Sequence, residues 1–265
     1  MNDATKRAEM PKGANAVLDR RTVAHGNANL LTIIKPGHVV LDVGCGSGPI
    51  TKGISDLVGP SGFAKGIDVS EQLIQSAQQT FSGIHNLSFE VADINTFHSE
   101  TKYDVITSAR VLQWVSNPKE VLVRMKDLLK EGGSLTILDY NHEKIEFKPQ
   151  VPERVRTFYY AFLMWRKDSG MNNDIADNLE NIFKEIGLKN ISIEDHSEVS
   201  LPDSPSFYDE LSIWRKVAET RGKQLVADQY ITEEERLSAI EEYQEWMDKQ
   251  ASYMKLYLRS VTGIK

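Results

Sequence analysis

Val39-Val40-Leu41-Asp42-Val43-Gly44-Cys45-Gly46-Ser47-Gly48 runs from a β-branched apolar stretch into three alternate glycines, and Ile50, Ile54, Leu57 and Val58 follow at helical spacing. A continuous apolar run suits a strand buried on both faces, and the later spacing suits a helix with one buried side. The segment therefore predicts strand, turn and helix in immediate succession. Glycines at such a turn let the backbone bend sharply and approach a ligand that a side chain would exclude. An ordinary glycine-rich connection would look the same, so the neighbouring elements decide.

Phe63 to Asp68 reads as a second short strand ending on an acid, with Val69 beside it. Asp68 lies twenty residues beyond Gly48, the distance at which nucleotide-binding α/β folds place a carboxylate on a ribose. Leu87 to Asp93 alternates as a third strand, again finishing on an acid, and Ile94 follows. Tyr103 to Ser108 is a fourth and Ser134 to Asp139 a fifth. Their polar or small ends gather on one sheet edge, where open α/β sheets bind ligands.

The order of these residues resembles the class I S-adenosylmethionine-dependent methyltransferases, in the small-molecule branch related to the quinone-biosynthesis C-methyltransferases. The resemblance covers about Arg21 to Val199. It implies a Rossmann-like, seven-stranded, mostly parallel α/β sheet with an antiparallel last strand, and S-adenosyl-L-methionine as cofactor. It also implies that Asp42, Gly44, Cys45, Gly46 and Gly48 wrap the amino-acid end of the donor. Asp68 holds the ribose, with Val69 in the same site, and Ala92, Asp93 and Ile94 frame the adenine. Ser108, Ala109, Arg110 and Gln113 belong to the loop under the methionine moiety. Arg21 is a candidate partner of the donor carboxylate, because a guanidinium matches that planar group with two hydrogen bonds. A dinucleotide dehydrogenase shares the first strand, turn and ribose acid. Its fingerprint, however, wants the third glycine one place later, where Pro49 stands, and gives no reason for Asp42.

Bulk properties restrict the function further. At 265 residues the chain suits one α/β domain with substantial insertions. No run approaches the ~18 apolar residues of a membrane span, and Met1 to Lys12 is polar rather than a signal sequence. The single Cys45 excludes an internal disulfide and fits a reducing compartment, so a cytoplasmic location is expected. Against 38 acids stand 31 Lys and Arg, and the net charge of −7 disfavours nucleic acid as a partner. The expected partner is a small-molecule acceptor, with no membrane insertion and a monomer or homodimer. No metal site is expected: His142-Glu143 lacks the second histidine of a zinc helix motif.

Helix signals organise the rest. Asn117-Pro118-Lys119-Glu120 reads as a cap and first turn, opening a helix that Gly132 stops. Asp174 to Ile186 repeats the design, a sixth strand runs from about Leu188 to His196, and Thr232-Glu233-Glu234-Glu235 is a capping box opening a helix to roughly Lys249. Tyr253 to Val261 alternates as the last strand. N-terminal helices within residues 1–35, with Val17, Leu18, Leu30, Leu31 and Ile34 apolar, form a further wall.

Two segments are left over, 141–173 and 201–251, and connections this long are usually functional. Both read as helical lid insertions rich in aromatics, with Tyr140, Tyr160 and Trp165 as candidate substrate contacts. Transfer from a sulfonium needs an in-line, desolvated nucleophile more than covalent help. A hydroxyl or acidic-carbon acceptor would add a base, for which His142, Tyr140, His25 and Asp139 are candidates without an identifying spacing. The functional expectation is methyl transfer to a small molecule. The alternatives are a non-catalytic S-adenosylmethionine-binding regulatory or assembly protein, and a nucleotide-dependent enzyme of the same fold.

Overall fold

The computed structural model describes Arg7 and residues 21–265, except the side chain of His25. The expected helix around Val17 and Leu18 lies outside the described residues. Two single-turn helices, α1 (Val23–Gly26) and α2 (Leu30–Ile33), precede the sheet.

Strand β1 (Val39–Val43) is followed by α3 (Pro49–Val58), β2 (Phe63–Asp68), α4 (Glu71–Thr80), β3 (Leu87–Val91) and β4 (Tyr103–Ala109). A 3-10 turn (Leu112–Trp114) leads to α5 (Pro118–Leu128), β5 (Leu129–Lys148), α6 (Glu153–Asp168), α7 (Ile175–Glu185), β6 (Lys189–Asp195) and β7 (Glu198–Ser200). Helices α8 (Phe207–Ala227) and α9 (Glu233–Lys249) and strand β8 (Tyr253–Ile264) complete the order. The strands lie as β3-β2-β1-β4-β5-β8-β6, with β7 pairing β8. Strands β1 to β5 run parallel, and β8 is antiparallel to β5, β6 and β7. The expected α/β sheet is therefore present, with β7 as an added strand. Its order reverses between β1 and β4, which opens a crevice at their carboxyl ends.

Local chemistry fixes the element ends. Pro49 and Pro118 occupy first-turn positions, where a missing N–H costs no helical bond. The Ser70 side chain accepts from Leu73 N–H, and both bonds of the Thr232 and Glu235 capping box form. Asn117 makes no capping bond, contrary to its sequence pattern. Nor does Gly132 end α5: the helix stops at Leu128, and Gly132, at φ +76°, lies within the leading part of β5. Strand β3 ends at Val91, so Asp93 sits in a turn where its Oδ1 accepts from Asn95 N–H and Nδ2.

One core lies between the sheet and α5 and α7, around Leu41, Ile106, Met125, Leu179 and Phe183. A smaller one joins α1, α2 and α3 to Val40 and Val105. Helices α6, α8 and α9 form a separate layer whose interior includes Phe158, Trp165, Leu211 and Trp246, resting on Leu138, Met254 and Leu258 of β5 and β8. The first expected insertion is corrected at its start. Residues 141–148 continue β5 and pair β8 through Glu146↔Lys255, Phe147↔Met254 and Lys148↔Tyr253, so only the part from Glu153 is helical. Alternating burial on both strands favours that ribbon over a helix.

Candidate active site

The glycine turn after β1 has positive φ at Gly44 (75°), Gly46 (56°) and Gly48 (89°). At Gly44 an added Cβ would lie 2.3 Å from Val111 Cγ2, and at Gly48 2.6 Å from the Phe89 ring, so a side chain fits neither place. The Asp68 carboxylate fastens the turn from the end of β2: Gly46 N–H donates to Oδ2 and Ser70 N–H to Oδ1, both at 2.9 Å. Asp68 remains partly exposed. Burial raises its pKa despite these bonds. Next to it Val69 is 67% exposed, an aliphatic surface at the crevice rather than in the core. Ile94 is buried beyond it and Ala92 half-buried, while Asp93 faces solvent.

Beneath the turn, Asp42 is buried and accepts from Thr51 Oγ1 at 2.7 Å. Burial, relieved only in part by that bond, pushes its pKa up to about 7. The Cys45 thiol is buried against Gly66 and Phe89, and burial raises its pKa well above the ordinary range. It fills the turn as an inert small group. Ser108 Oγ donates to Val43 O at 2.7 Å, which locks the end of β4 to the end of β1. Ala109 is half-buried against the helical layer.

Beyond β4 the site consists of buried side chains. Arg110 sits at φ +63° and directs its guanidinium to three partners: Tyr140 Oη at 3.0 Å, Gly26 O at 2.8 Å and Glu198 Oε1 at 2.5 Å. Burial opposes its charge, but Tyr140 and Glu198 outweigh that and hold its pKa up. Arg21 faces the same cluster; burial first, then the Arg110 charge, lower its pKa, while Tyr140, Glu198 and Asp139 partly offset both. Two guanidiniums near one another leave a place that favours an anion. Asn27, one residue beyond the Gly26 carbonyl, is buried with neither amide atom partnered among the described residues.

Gln113 links this cluster to the helical layer. Its N–H donates to Asp139 Oδ2 at 3.2 Å and its Nε2 to Arg110 O at 3.2 Å, so Oε1 is left to accept from His142 Nε2 at 2.5 Å. That arrangement puts the proton on His142 Nε2 and leaves Nδ1 its lone pair. Burial and the Arg166 guanidinium depress the His142 pKa well below its ordinary value, so the ring is neutral. Asp139 is pushed up to about 6 by burial. Arg166 is fully buried between Asn173 Oδ1 at 2.8 Å and Gln113 O at 2.9 Å, with its guanidinium 4.3 Å above the Trp114 ring.

The sequence candidates thus divide. Asp42, Gly44, Gly46, Gly48, Asp68 and Val69 surround the turn, and Arg21, Arg110, Gln113, Tyr140 and His142 form one connected cluster. Trp165 is corrected: it is 0% exposed, stacks on Phe162 and donates Nε1 to Asp228 Oδ2 at 2.6 Å, so it is core rather than a pocket wall. Tyr160, 65% exposed, stands at the rim of a cavity in the helical layer. The His25 side chain lies outside what is described. Sequence reading missed Asn27, Glu198 and Arg166. Only Arg166 left a signal there, a charge on the apolar face of α6 beside Phe162 and Trp165. Among the described residues no His, Cys, Asp and Glu group could hold a metal ion, and no helix is long and apolar enough to cross a membrane.

The methyltransferase domain model matches residues 34–257. The malonyl-[acyl-carrier protein] O-methyltransferase of Bacillus cereus is 31% identical over 133 residues, 48% of this chain and 48% of that protein. The demethylmenaquinone methyltransferase of Staphylococcus aureus is 25% identical over 178 residues, 60% of this chain and 71% of that protein. The chain spans 30% to 48% of the length of three curated relatives that are 31% to 35% identical to it. In fold it is similar to Haemonchus contortus phosphoethanolamine N-methyltransferase 2, solved with phosphomonomethylethanolamine and S-adenosylhomocysteine; the TM-score is 0.57 at 17% identity, over 96% of this chain and 53% of that one. A match over most of the chain, on a sheet of this order with its glycine turn at the switch point, means that the chain belongs to the methyltransferase domain family, the class I S-adenosylmethionine-dependent methyltransferases.

Proposed function

We propose that this chain transfers a methyl group from S-adenosylmethionine to a small-molecule acceptor. The observation that carries the reading is the Asp68 to Gly46 bond, which sets a ribose-type acid and a bare-backbone turn side by side at the switch point. The residues present fit the donor. Asp68 keeps lone pairs for ribose hydroxyls, Val69 and Ile94 give apolar surface for a purine, and Asp93 is open for an exocyclic amine. At the other end Arg21 and the Asn27 amide, which has no partner among the described residues, suit a carboxylate, and Asp42 beneath the turn suits an ammonium. The bound donor would supply an already electrophilic methyl group.

The chain's own part is to position and to exclude water. Arg110, tied to Gly26, Tyr140 and Glu198, fixes the N-terminal segment, β5 and β7 around the end of β4. The neutral His142, with Nε2–H held by Gln113, offers Nδ1 to a proton where the acceptor needs to lose one. Helices α6, α8 and α9 act as the cover over the acceptor. The test incubates the protein with methyl-labelled donor and a metabolite extract, and titrates donor calorimetrically into wild type and Gly46→Val. Label transfer, with donor binding lost in a variant that still melts cooperatively, is the expected result. Normal donor binding by Gly46→Val would remove the turn from the site.

A further inference from the structure

Among the described residues the sheet ends at β6, which pairs β8 on one side and has no strand on the other. The strand is also thinly covered. All of Lys189–Asp195 except Ile191 are exposed, and Ile193 is 38% exposed although it stands opposite Val261 of the core. His196 N–H donates to Leu258 O at 3.1 Å, in register with the ladder of β6 and β8. Inward and outward bonding alternates along an antiparallel strand, so Ser192 and Glu194 bond to β8 while Ile193 and Asp195 turn N–H and C=O outward. An edge of open main-chain groups is a template for another strand.

The side chains select which strand that is. A bulge sets Asn190, at φ +50°, and Ile191 together against Gly263 of β8. Lys189, Ser192 and Glu194 therefore stand opposite Ile264, Thr262 and Ser260, alternate residues of β8, and share one face at equal intervals about Ser192. A two-fold axis through Ser192 lays β6 antiparallel on its own copy, with Lys189 of each strand opposite Glu194 of the other and Ile193 beside Ile191. Placing the axis at Ile193 removes both charge pairs, and placing it at Glu194 sets the two glutamates together. Charges and bulges also keep edges from pairing. An edge guarded against its own copy, however, would carry one sign, because like charges then meet across the axis. We infer that β6 is a homodimer interface, which joins two copies of this chain through antiparallel β6 strands into one continuous sheet centred on Ser192.

Sedimentation of the full chain, from low micromolar to about 0.2 mM, tests it. Wild type should pass from monomer to dimer. Lys189→Glu and Glu194→Lys each put like charges at both ends of the contact and should weaken the dimer about tenfold or more, while the double variant Lys189→Glu/Glu194→Lys should restore it to within about threefold. In Ser192→Cys the two cysteines would face each other with Cα atoms about 4.5 Å apart, inside the disulfide range, so mild oxidation should give a covalent dimer. Wild type, whose Cys45 is buried, and Ser82→Cys, exposed just before β3, should stay uncrosslinked. Thermal melts check that each variant is folded. The inference is overturned if wild type stays monomeric throughout, which leaves the edge to a strand of another protein. It is equally overturned if the single exchanges leave the dimer intact, if the double exchange fails to restore it, or if Ser192→Cys crosslinks no better than Ser82→Cys.

Discussion

On the β2 and β1 side of β4 the carboxyl edge presents main chain and the acids Asp42 and Asp68, whereas on the β5 side the polar groups are mostly buried side chains linked to one another. The first arrangement is compact in sequence: Gly46 and Asp68 are 22 residues apart. The second gathers Arg21, Arg110, Tyr140, Asn173 and Glu198 from five segments. Main-chain recognition tolerates change in most side chains and fails at a glycine. A side-chain network fails at any member, because each loss leaves a buried partner unpaired.

The largest effect separates packing from recognition. Trp165→Ala should lose about 3 to 5 kcal/mol of stability, the usual range for a buried tryptophan, with donor affinity unchanged. Urea unfolding and donor calorimetry together check this. A loss of donor binding without loss of stability would break the division between the two sides.

A pH effect of similar size tests the acid under the turn. Asp42 has a folded pKa of about 7 against an ordinary 3.8, so its contribution is fully present below about pH 4 and is lost as pH rises to 7. At ~1.4 kcal/mol per pH unit the loss is roughly 4 kcal/mol. Asp139, raised to about 6, adds in the same direction over a narrower interval. Melting across pH 4 to 8 should show the decline, and Asp42→Asn should flatten it. Donor binding should release protons near pH 6, because an ammonium beside Asp42 favours its charged form.

Asp68→Ala should weaken the donor by roughly 2 to 4 kcal/mol, the worth of two charge-assisted hydrogen bonds less compensation by water. Asp68→Asn sharpens the point. It can still accept from Gly46 N–H, so it separates loss of the ribose contact from loosening of the turn. Unchanged affinity in both variants would take Asp68 out of the site. The smallest effect is a control far from either ligand: Thr232→Ala should cost about 1 kcal/mol through the capping box of α9 and leave donor binding alone.

The legible part of the molecule is the part whose chemistry is local. A glycine turn needs positive φ at fixed places, and Gly44, Gly46 and Gly48 announce it; an acid at a strand end announces itself as Asp68 does. The capping box at Thr232 is read the same way, being four residues long. Asn117 shows the limit of that logic, since its backbone, at φ −129° and ψ 72°, departs from the extended cap conformation and its side chain makes no capping bond. Trp165 and Trp214 are indistinguishable in sequence as aromatics on helices. Both are buried in the helical layer, Trp165 fully and Trp214 to 9% exposure, and the partner that meets the Trp165 indole, Asp228, stands 63 residues away. Glu198 finds Arg110 across 88 residues with no pattern to foretell it.

The antiparallel ribbon of β5 and β8 sets the order in which the molecule can be built. Thr136 and Thr262 face each other across it and share a hydroxyl bond, yet they are 126 residues apart in the chain. During synthesis β1 to β5 can assemble as each emerges, while the outer edge of β5 stays open until β8 is made. Until then α6, α8 and α9 lack Met254 and Leu258 beneath them. The glycine-turn side is therefore the early half and the helical layer the late one. A nascent chain halted before Tyr253 should show a protected glycine turn and an open helical layer, exposing an apolar surface to chaperones for as long as translation of that stretch lasts.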